Sequence, residues 1–182
     1  MIRNTPETFG LVTRLLHWGI AGLVVVQVSL GLRIGDMQPG LSNLWLYGLH
    51  KSLGVTVLAL MTARILWHLA SPPPKPVGGG WQATLARVTH GTIYALLLAI
   101  PLTGWAASSA TGIDTLLFDR WTIPPIAPVS PVWETRLFAL HDLLTKLLLA
   151  LLALHAGAAL KREMDGDGTL RRMVTGRRTP RR

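Results

Sequence analysis

Six histidines and no cysteine set the chemistry open to this chain of 182 residues. Without thiols there is no disulfide, Cys-ligated zinc, iron–sulfur cluster, c-type haem attachment or thiol catalysis. Metal chemistry must run through imidazole, carboxylate or Met. The most informative spacing is His141 to His155, 14 residues apart. On a helix that is close to four turns, so both imidazoles share a face within about 40° and stand about 21 Å apart. His17, His50, His68 and His90 are spread singly along the rest of the chain. No Ser–His–Asp set, phosphate loop or HExxH motif competes with them.

The elements that must position these imidazoles follow from composition. Hydrophobic residues make up 49% of the chain and charged residues 15%, against about 25% charged in a typical soluble domain. Mean hydropathy is +0.39, yet the formal net charge is +9. Both facts suit a small integral membrane protein with basic ends. A crossing needs about 20 mostly apolar residues. Leu15–Leu32 has 18 residues without a charge, and Val88–Ala110 has 23. Ser52–Ala70 is interrupted only by Arg64, near its end, where a long side chain can snorkel. Leu143–Leu160 is apolar apart from Lys146, His155 and a Thr. A soluble bundle would need a polar face, and Leu15–Leu32 offers only His17, Gln27 and Ser29. The first span lacks a clear A-x-A cleavage site, so it is read as an uncleaved anchor.

The expectation is an all-α integral membrane protein, a single domain over 1–182. Its four-helix transmembrane bundle has helices near 13–33, 49–70, 87–109 and 138–162 and a basic tail over 163–182. Gly35, Pro39 and Gly40 break the first pair of spans; Pro72–Pro74, Pro76 and Gly78–Gly80 break the second. The last connection, near 111–139, carries Pro124, Pro125, Pro128 and Pro131 with Leu116, Leu117, Phe118 and Trp121. It is expected on the membrane surface as short amphipathic pieces.

Cations orient the bundle. With the N-terminus inside, the inner segments hold Arg3, Arg14, Arg64, Lys75 and Arg87. To these the end of the chain adds Lys161, Arg162, Arg171, Arg172, Arg177, Arg178, Arg181 and Arg182. The outer segments hold only Arg33, Lys51, Arg120 and Arg136. Both termini are therefore expected in the cytoplasm. A basic tail directly after an apolar span reads as a topogenic signal, and no nucleic-acid partner is expected.

On this topology the histidines fall at two depths. His50 and His141 lie at the outer level; His17, His90 and His155 lie at the inner level. Histidine in a transmembrane helix tends to face the bundle interior. His50 can meet His141, and His17 or His90 can meet His155. Paired axial imidazoles at two levels suit two stacked b-type haems. The levels are too far apart for one tetrahedral zinc site, and Asp142 and Glu134 form no obvious carboxylate set. His68, beside the Pro-rich exit, reads as an interfacial polar group. Gly19, Gly54, Gly91, Gly104 and Gly157 permit close approach of a macrocycle or simply of another helix. Arg14 and Lys51 are candidate partners for haem propionates, with topogenic and headgroup roles equally open.

Several motifs, in order, resemble the bacterial cytochrome b561 family. They are Arg14-Leu-Leu-His17-Trp18, Leu49-His50-Lys51-Ser52-Leu53-Gly54, His90 with Ile93-Tyr94, Pro101-Leu-Thr-Gly104, and His141 with His155. The closing Asp167-Gly168-Thr169-Leu170-Arg171-Arg172-Met173 is similar to the family's tail. The resemblance implies a di-haem b membrane cytochrome that exchanges electrons with the quinone pool, with ubiquinone as substrate. Carried over by motif, the axial ligands are His17 with His155 and His50 with His141, while His90 matches a family histidine that is not assigned as a ligand. One departure is Lys161-Arg162-Glu163, where family members often carry histidines.

The implied function is transmembrane electron transfer in the bacterial inner membrane, between quinone or quinol and a periplasmic donor or acceptor. Superoxide oxidation, a superoxide:ubiquinone type of oxidoreductase, is one form of it. The alternatives are a non-enzymatic electron-transfer subunit docking a periplasmic redox partner, and a haem-free transporter or structural membrane protein.

Overall fold

The computed structural model describes residues 1–75 and 80–177. Pro76, Gly78 and Gly79 of the second connection, and Arg178, Arg181 and Arg182 of the tail, lie outside the described residues. Four long helices dominate: α1 (Leu11–Asp36), α2 (Leu44–Ala70), α3 (Gly80–Ala110) and α4 (Pro131–Met164). At 26, 27, 31 and 34 residues each is long and apolar enough to cross a membrane. The apolar exterior agrees. Leu15, Val25, Leu69 and Leu154 are each more than 60% exposed, which is a lipid-facing arrangement for helices this long.

The core is narrow. Ile20 and Val24 of α1, Val57 and Met61 of α2, Ile93, Leu96 and Leu97 of α3, and Leu148 of α4 form one buried cluster at mid-height. Packing runs α1 on α2, α2 on α3, and α3 on α4. Among the described residues α4 makes no comparably close backbone approach to α1 or α2. That leaves space between α4 and the first two helices.

Helix ends have local causes. Ser130 caps α4 by accepting from the Trp133 N–H, Pro131 occupies the first turn, and Glu134 faces the helix N-terminus. These signals start α4 seven residues before the expected 138, because its first two turns stand beyond the apolar span. Pro101 sits inside α3. It withholds an N–H from the Leu97 carbonyl, a defect that neighbouring helices make tolerable in a membrane.

The connection expected as amphipathic pieces holds a β-hairpin instead, β1 (Thr115–Leu117) antiparallel to β2 (Trp121–Ile123). Phe118 and Asp119 at its tip have φ of +50° and +56°. Left-handed backbone matches the twist of a tight hairpin but disfavours a bulky residue such as Phe. Ser52 of α2, only 1% exposed, secures the turn: its hydroxyl accepts from the Phe118 N–H at 2.9 Å and donates to the Gly48 carbonyl at 2.8 Å. The hairpin is thereby held against the same helix that carries His50.

The opposite end carries both ends of the described residues. The stretch from 163, expected as a basic tail, continues α4 to Met164 and then folds into α5 (Thr169–Thr175). Arg162 pairs with Asp167, and Arg171 pairs with Glu163. Burial alone would raise the Asp167 pKa, but hydrogen bonds from Thr169 and Arg162 outweigh it and hold the carboxyl below its ordinary value. The Trp18 indole donates to the Met173 carbonyl and Arg14 donates to the Val174 carbonyl. The segment that departs from the family pattern thus clamps α5 over the start of α1.

Candidate functional site

α4 presents His141 and His155 toward the space it leaves. At the hairpin end, His141 faces His50 of α2, with ring centres 6.2 Å apart and planes at 81°. At the termini end, His155 faces His17 of α1, with ring centres 6.4 Å apart and planes at 66°. His90 of α3 lies nearer to His155, at 5.1 Å. With metal–nitrogen bonds of about 2 Å and about 1 Å from nitrogen to ring centre, imidazoles on opposite sides of one metal have centres about 6 Å apart. The first two separations match that value. The third is too short for it.

Hydrogen bonding at the hairpin end also suits ligation. Nδ1 of His141 lies 2.9 Å from the Ile100 carbonyl. A carbonyl only accepts, so Nδ1 carries the proton and Nε2 keeps its lone pair for a metal. Ile100 precedes Pro101, so the second-shell acceptor sits at the irregular point of α3. Nδ1 of His50 is buried without a partner. The His50 carbonyl is held from α1, where Gln27 donates its amide at 3.0 Å.

Between these residues lies a cavity of about 400 Å³. His50, His141, Gly31, Gly54, Gly104 and Lys51 are part of its wall. The glycines keep the wall thin. A Cβ on Gly31 would stand 3.5 Å from the His50 ring, and one on Gly104 would stand 3.0 Å from the His141 ring. Among the described residues no group of three or more His, Asp or Glu is placed to hold a metal ion. Facing imidazole pairs beside glycine-lined space fit a metal that brings its own equatorial ligands, as haem does.

Other expectations fare differently. Arg14, next to His17 in sequence, is engaged with α5 rather than facing the imidazoles. Lys51 does line the cavity. Arg64 does not snorkel: it is 7% exposed, and its Nε donates to the Tyr94 hydroxyl at 2.7 Å. His68 stacks on the same Tyr94 ring, 6.3 Å between centres. This cluster was legible only in part. Arg64 and His68 are four residues apart, hence on one helix face, and a charge inside a span is a functional candidate by default. Tyr94, from another helix, entered only through the His90 and Ile93-Tyr94 motif, with nothing to tie it to Arg64.

The model of the prokaryotic cytochrome b561 family matches residues 8–176. The chain is 32% identical to cytochrome b561 homolog 2 of Escherichia coli, over 94% of this chain and 93% of that protein. It is 31% identical to the probable superoxide oxidase CybB of Yersinia pestis, over 90% and 93%. Cytochrome b561 homolog 1 of Escherichia coli is 28% identical over 90% and 94%. A match that spans all four helices and both imidazole pairs leaves one conclusion: the chain belongs to the prokaryotic cytochrome b561 family, as a multi-pass bacterial membrane protein that carries haem b and transfers electrons.

Proposed function

We propose that the chain moves electrons across the bacterial inner membrane through two b haems, one held by His50 and His141 and the other by His17 and His155. The observation that carries this reading is the pair of facing imidazoles at each end of α4, at 6.2 and 6.4 Å. Haem held by these imidazole pairs would supply one-electron chemistry. The protein's own work is then spacing, access and electrostatics. The Ile100 carbonyl keeps the proton of His141 on Nδ1. Gln27 holds the turn of α2 that carries His50. Ser52 keeps the hairpin against that helix. His90, at 5.1 Å from His155, is a neighbour of the inner pair and not its axial partner.

Both termini belong in the cytoplasm on this reading, because Arg3, Arg14, Lys75, Arg87, Lys161, Arg162, Arg171, Arg172 and Arg177 flank the ends of the helices at that side. The hairpin end then faces the periplasm. Electrons pass between the quinone pool, with ubiquinone or its quinol as substrate, and a periplasmic reactant. The name of the Yersinia pestis relative supports superoxide as that reactant, which would make the chain a superoxide:ubiquinone oxidoreductase. A second reading, an electron-transfer subunit that serves a periplasmic redox protein, draws on the exposed Trp121 and Ile113 of the hairpin region, 60% and 66% accessible.

Stopped-flow haem reduction tests these readings, with quinol, superoxide and ascorbate each offered alone to the purified holoprotein. Reduction by quinol and by superoxide is expected. Failure of quinol overturns the quinone link. Failure of superoxide alone moves the function to the partner-protein reading.

A further inference from the structure

Arg64 is the buried charge that the imidazole pairs leave without a task. It lies within α2, 7% exposed, where an uncompensated cation is costly. Its Nε donates to the Tyr94 hydroxyl at 2.7 Å and its guanidinium lies over the Tyr94 ring, 5.5 Å from the centre. The same hydroxyl lies 3.3 Å from Nδ1 of His68 and donates to it when that nitrogen is unprotonated. A neutral His68 that accepts at Nδ1 carries its proton on Nε2, and Nε2 is buried without a partner.

The cluster is therefore rich in donors and lacks an anion. The ion pairs Lys146–Asp142, Lys161–Asp165, Arg162–Asp167 and Arg171–Glu163 do not include Arg64, which has no acidic partner among the described residues. Trp67, three residues after Arg64, donates its indole N–H at 3.0 Å to the Thr13 hydroxyl, one turn before His17, and Tyr94 stands one turn after His90, which places Arg64 at the level of the inner imidazole pair. Arg14, the other cation near His17, is turned to α5. The family's haem b carries two propionate carboxylates, and planar, bidentate recognition of a carboxylate is what a guanidinium does best.

We propose that Arg64, aimed by Tyr94 and supported by His68, binds a propionate carboxylate of the haem held between His17 and His155. The assignment rests on that ligand reading. A guanidinium on the propionate cancels negative charge close to the iron. Its removal favours the ferric state and lowers the midpoint potential of that haem.

The test is a potentiometric titration of the holoprotein that resolves the two haems. Arg64→Gln should shift the inner couple at least tenfold toward the oxidised form, about 59 mV for one electron, with the outer couple unmoved. Arg64→Lys should restore most of the shift. Infrared redox difference spectra with ¹³C-labelled propionates identify the contact itself: a labelled carboxylate band should move in Arg64→Gln. Unmoved bands overturn the proposal even if the potential falls, because the charge would then act only at a distance. Unchanged midpoints with a change confined to the KM for quinol also overturn it, and assign the cluster to a quinone carbonyl. Should Arg64→Gln fail to retain haem, Tyr94→Phe decides. A smaller fall of the inner midpoint supports the contact, and no fall overturns it. His155→Leu reports on the ligand reading separately, since retention of both haems there fails the ligands and not Arg64.

Discussion

Gly104 of α3 lies against the ring of His141 on α4, so close that a Cβ would stand 3.0 Å from Cε1 and 3.1 Å from Nδ1. The same ring is tied to the Ile100 carbonyl one turn earlier. A methyl group at Gly104 therefore requires the imidazole to give by a few tenths of an ångström against its bond to Ile100. Gly104→Ala should lower the haem-to-protein ratio and cost about 1–3 kcal/mol of packing strain. Gly91→Ala on the same helix, whose Cβ would meet nothing within 4 Å, should leave haem content unchanged. Pyridine haemochrome assays on both variants make the comparison. Equal haem in both would show that the His141 ring has room to move.

Ligand loss should be separable by level. His141→Leu should remove about one haem per chain and leave the other's spectrum intact, and His155→Leu should do the reverse. His17→Leu should lose the haem that His155→Leu loses, whereas His90→Leu should retain it, because His90 is about 1 Å too near His155 to stand opposite it across a metal. Normal haem in His17→Leu together with loss in His90→Leu would reverse the inner pair. Thermal unfolding of each purified variant separates ligand loss from misfolding.

The matched depths of His17, His50, His141 and His155 could be read from helix length and a 14-residue spacing alone. The spans were equally visible, because a run without charges needs no tertiary context to be apolar. Harder were the features made by contacts between distant segments. The choice between His17 and His90 depends on distances across helices. Thr115–Ile123 reads as amphipathic, yet it pairs as a hairpin because buried Ser52, more than 60 residues away, binds its tip. Lys161-Arg162-Glu163 read as part of a topogenic basic tail and as a departure from the family pattern, and its contacts appear only with Asp165, Asp167 and Arg171 placed around it.

Topology can be tested directly because the chain has no cysteine. With both termini cytoplasmic, Asp119→Cys at the hairpin tip should react with a membrane-impermeant maleimide added to spheroplasts. Arg177→Cys should react only after lysis. Labelling in the opposite order would invert the bundle and place the His50–His141 pair at the cytoplasmic side.

Docking of α5 should weaken in acid. Asp167 is held below its ordinary pKa, so its contribution is complete above about pH 4, the unfolded range, and is lost as pH falls through the lower folded value. Amide exchange of residues 170–175 should be insensitive to opening between pH 7 and 5, once intrinsic rates are corrected, and protection should drop below about pH 4. Asp167→Asn should loosen α5 at neutral pH by up to about 1 kcal/mol, because the pair with Arg162 is only partly buried. Protection that persists at low pH in the wild type would transfer the docking to the Trp18 and Arg14 bonds instead.

Superoxide, if it is the periplasmic donor, should react at a modest and weakly salt-dependent rate. A positive field speeds an anion by about 10–10³-fold. The hairpin end has Arg33, Lys51, Arg120 and Arg136 against Asp36, Asp114, Asp119, Glu134 and Asp142, so its total is near neutral. Local focusing is weak as well. Lys51 lines the cavity beside His50, but Asp142 lines the same cavity. Asp142 is paired with Lys146 at 2.7 Å, and both are largely exposed, which leaves their fields screened by solvent. Raising ionic strength should therefore slow superoxide-driven haem reduction by less than about tenfold, the lower bound of strong steering. Lys51→Gln should slow it modestly and Asp142→Asn should speed it, since the first removes one positive charge from the mouth and the second one negative charge. A rate near the diffusion limit that collapses with salt and with Lys51→Gln would show that Lys51 dominates the field over the cavity despite Asp142. A slow rate untouched by salt or by either substitution would leave the periplasmic exchange to a docked protein.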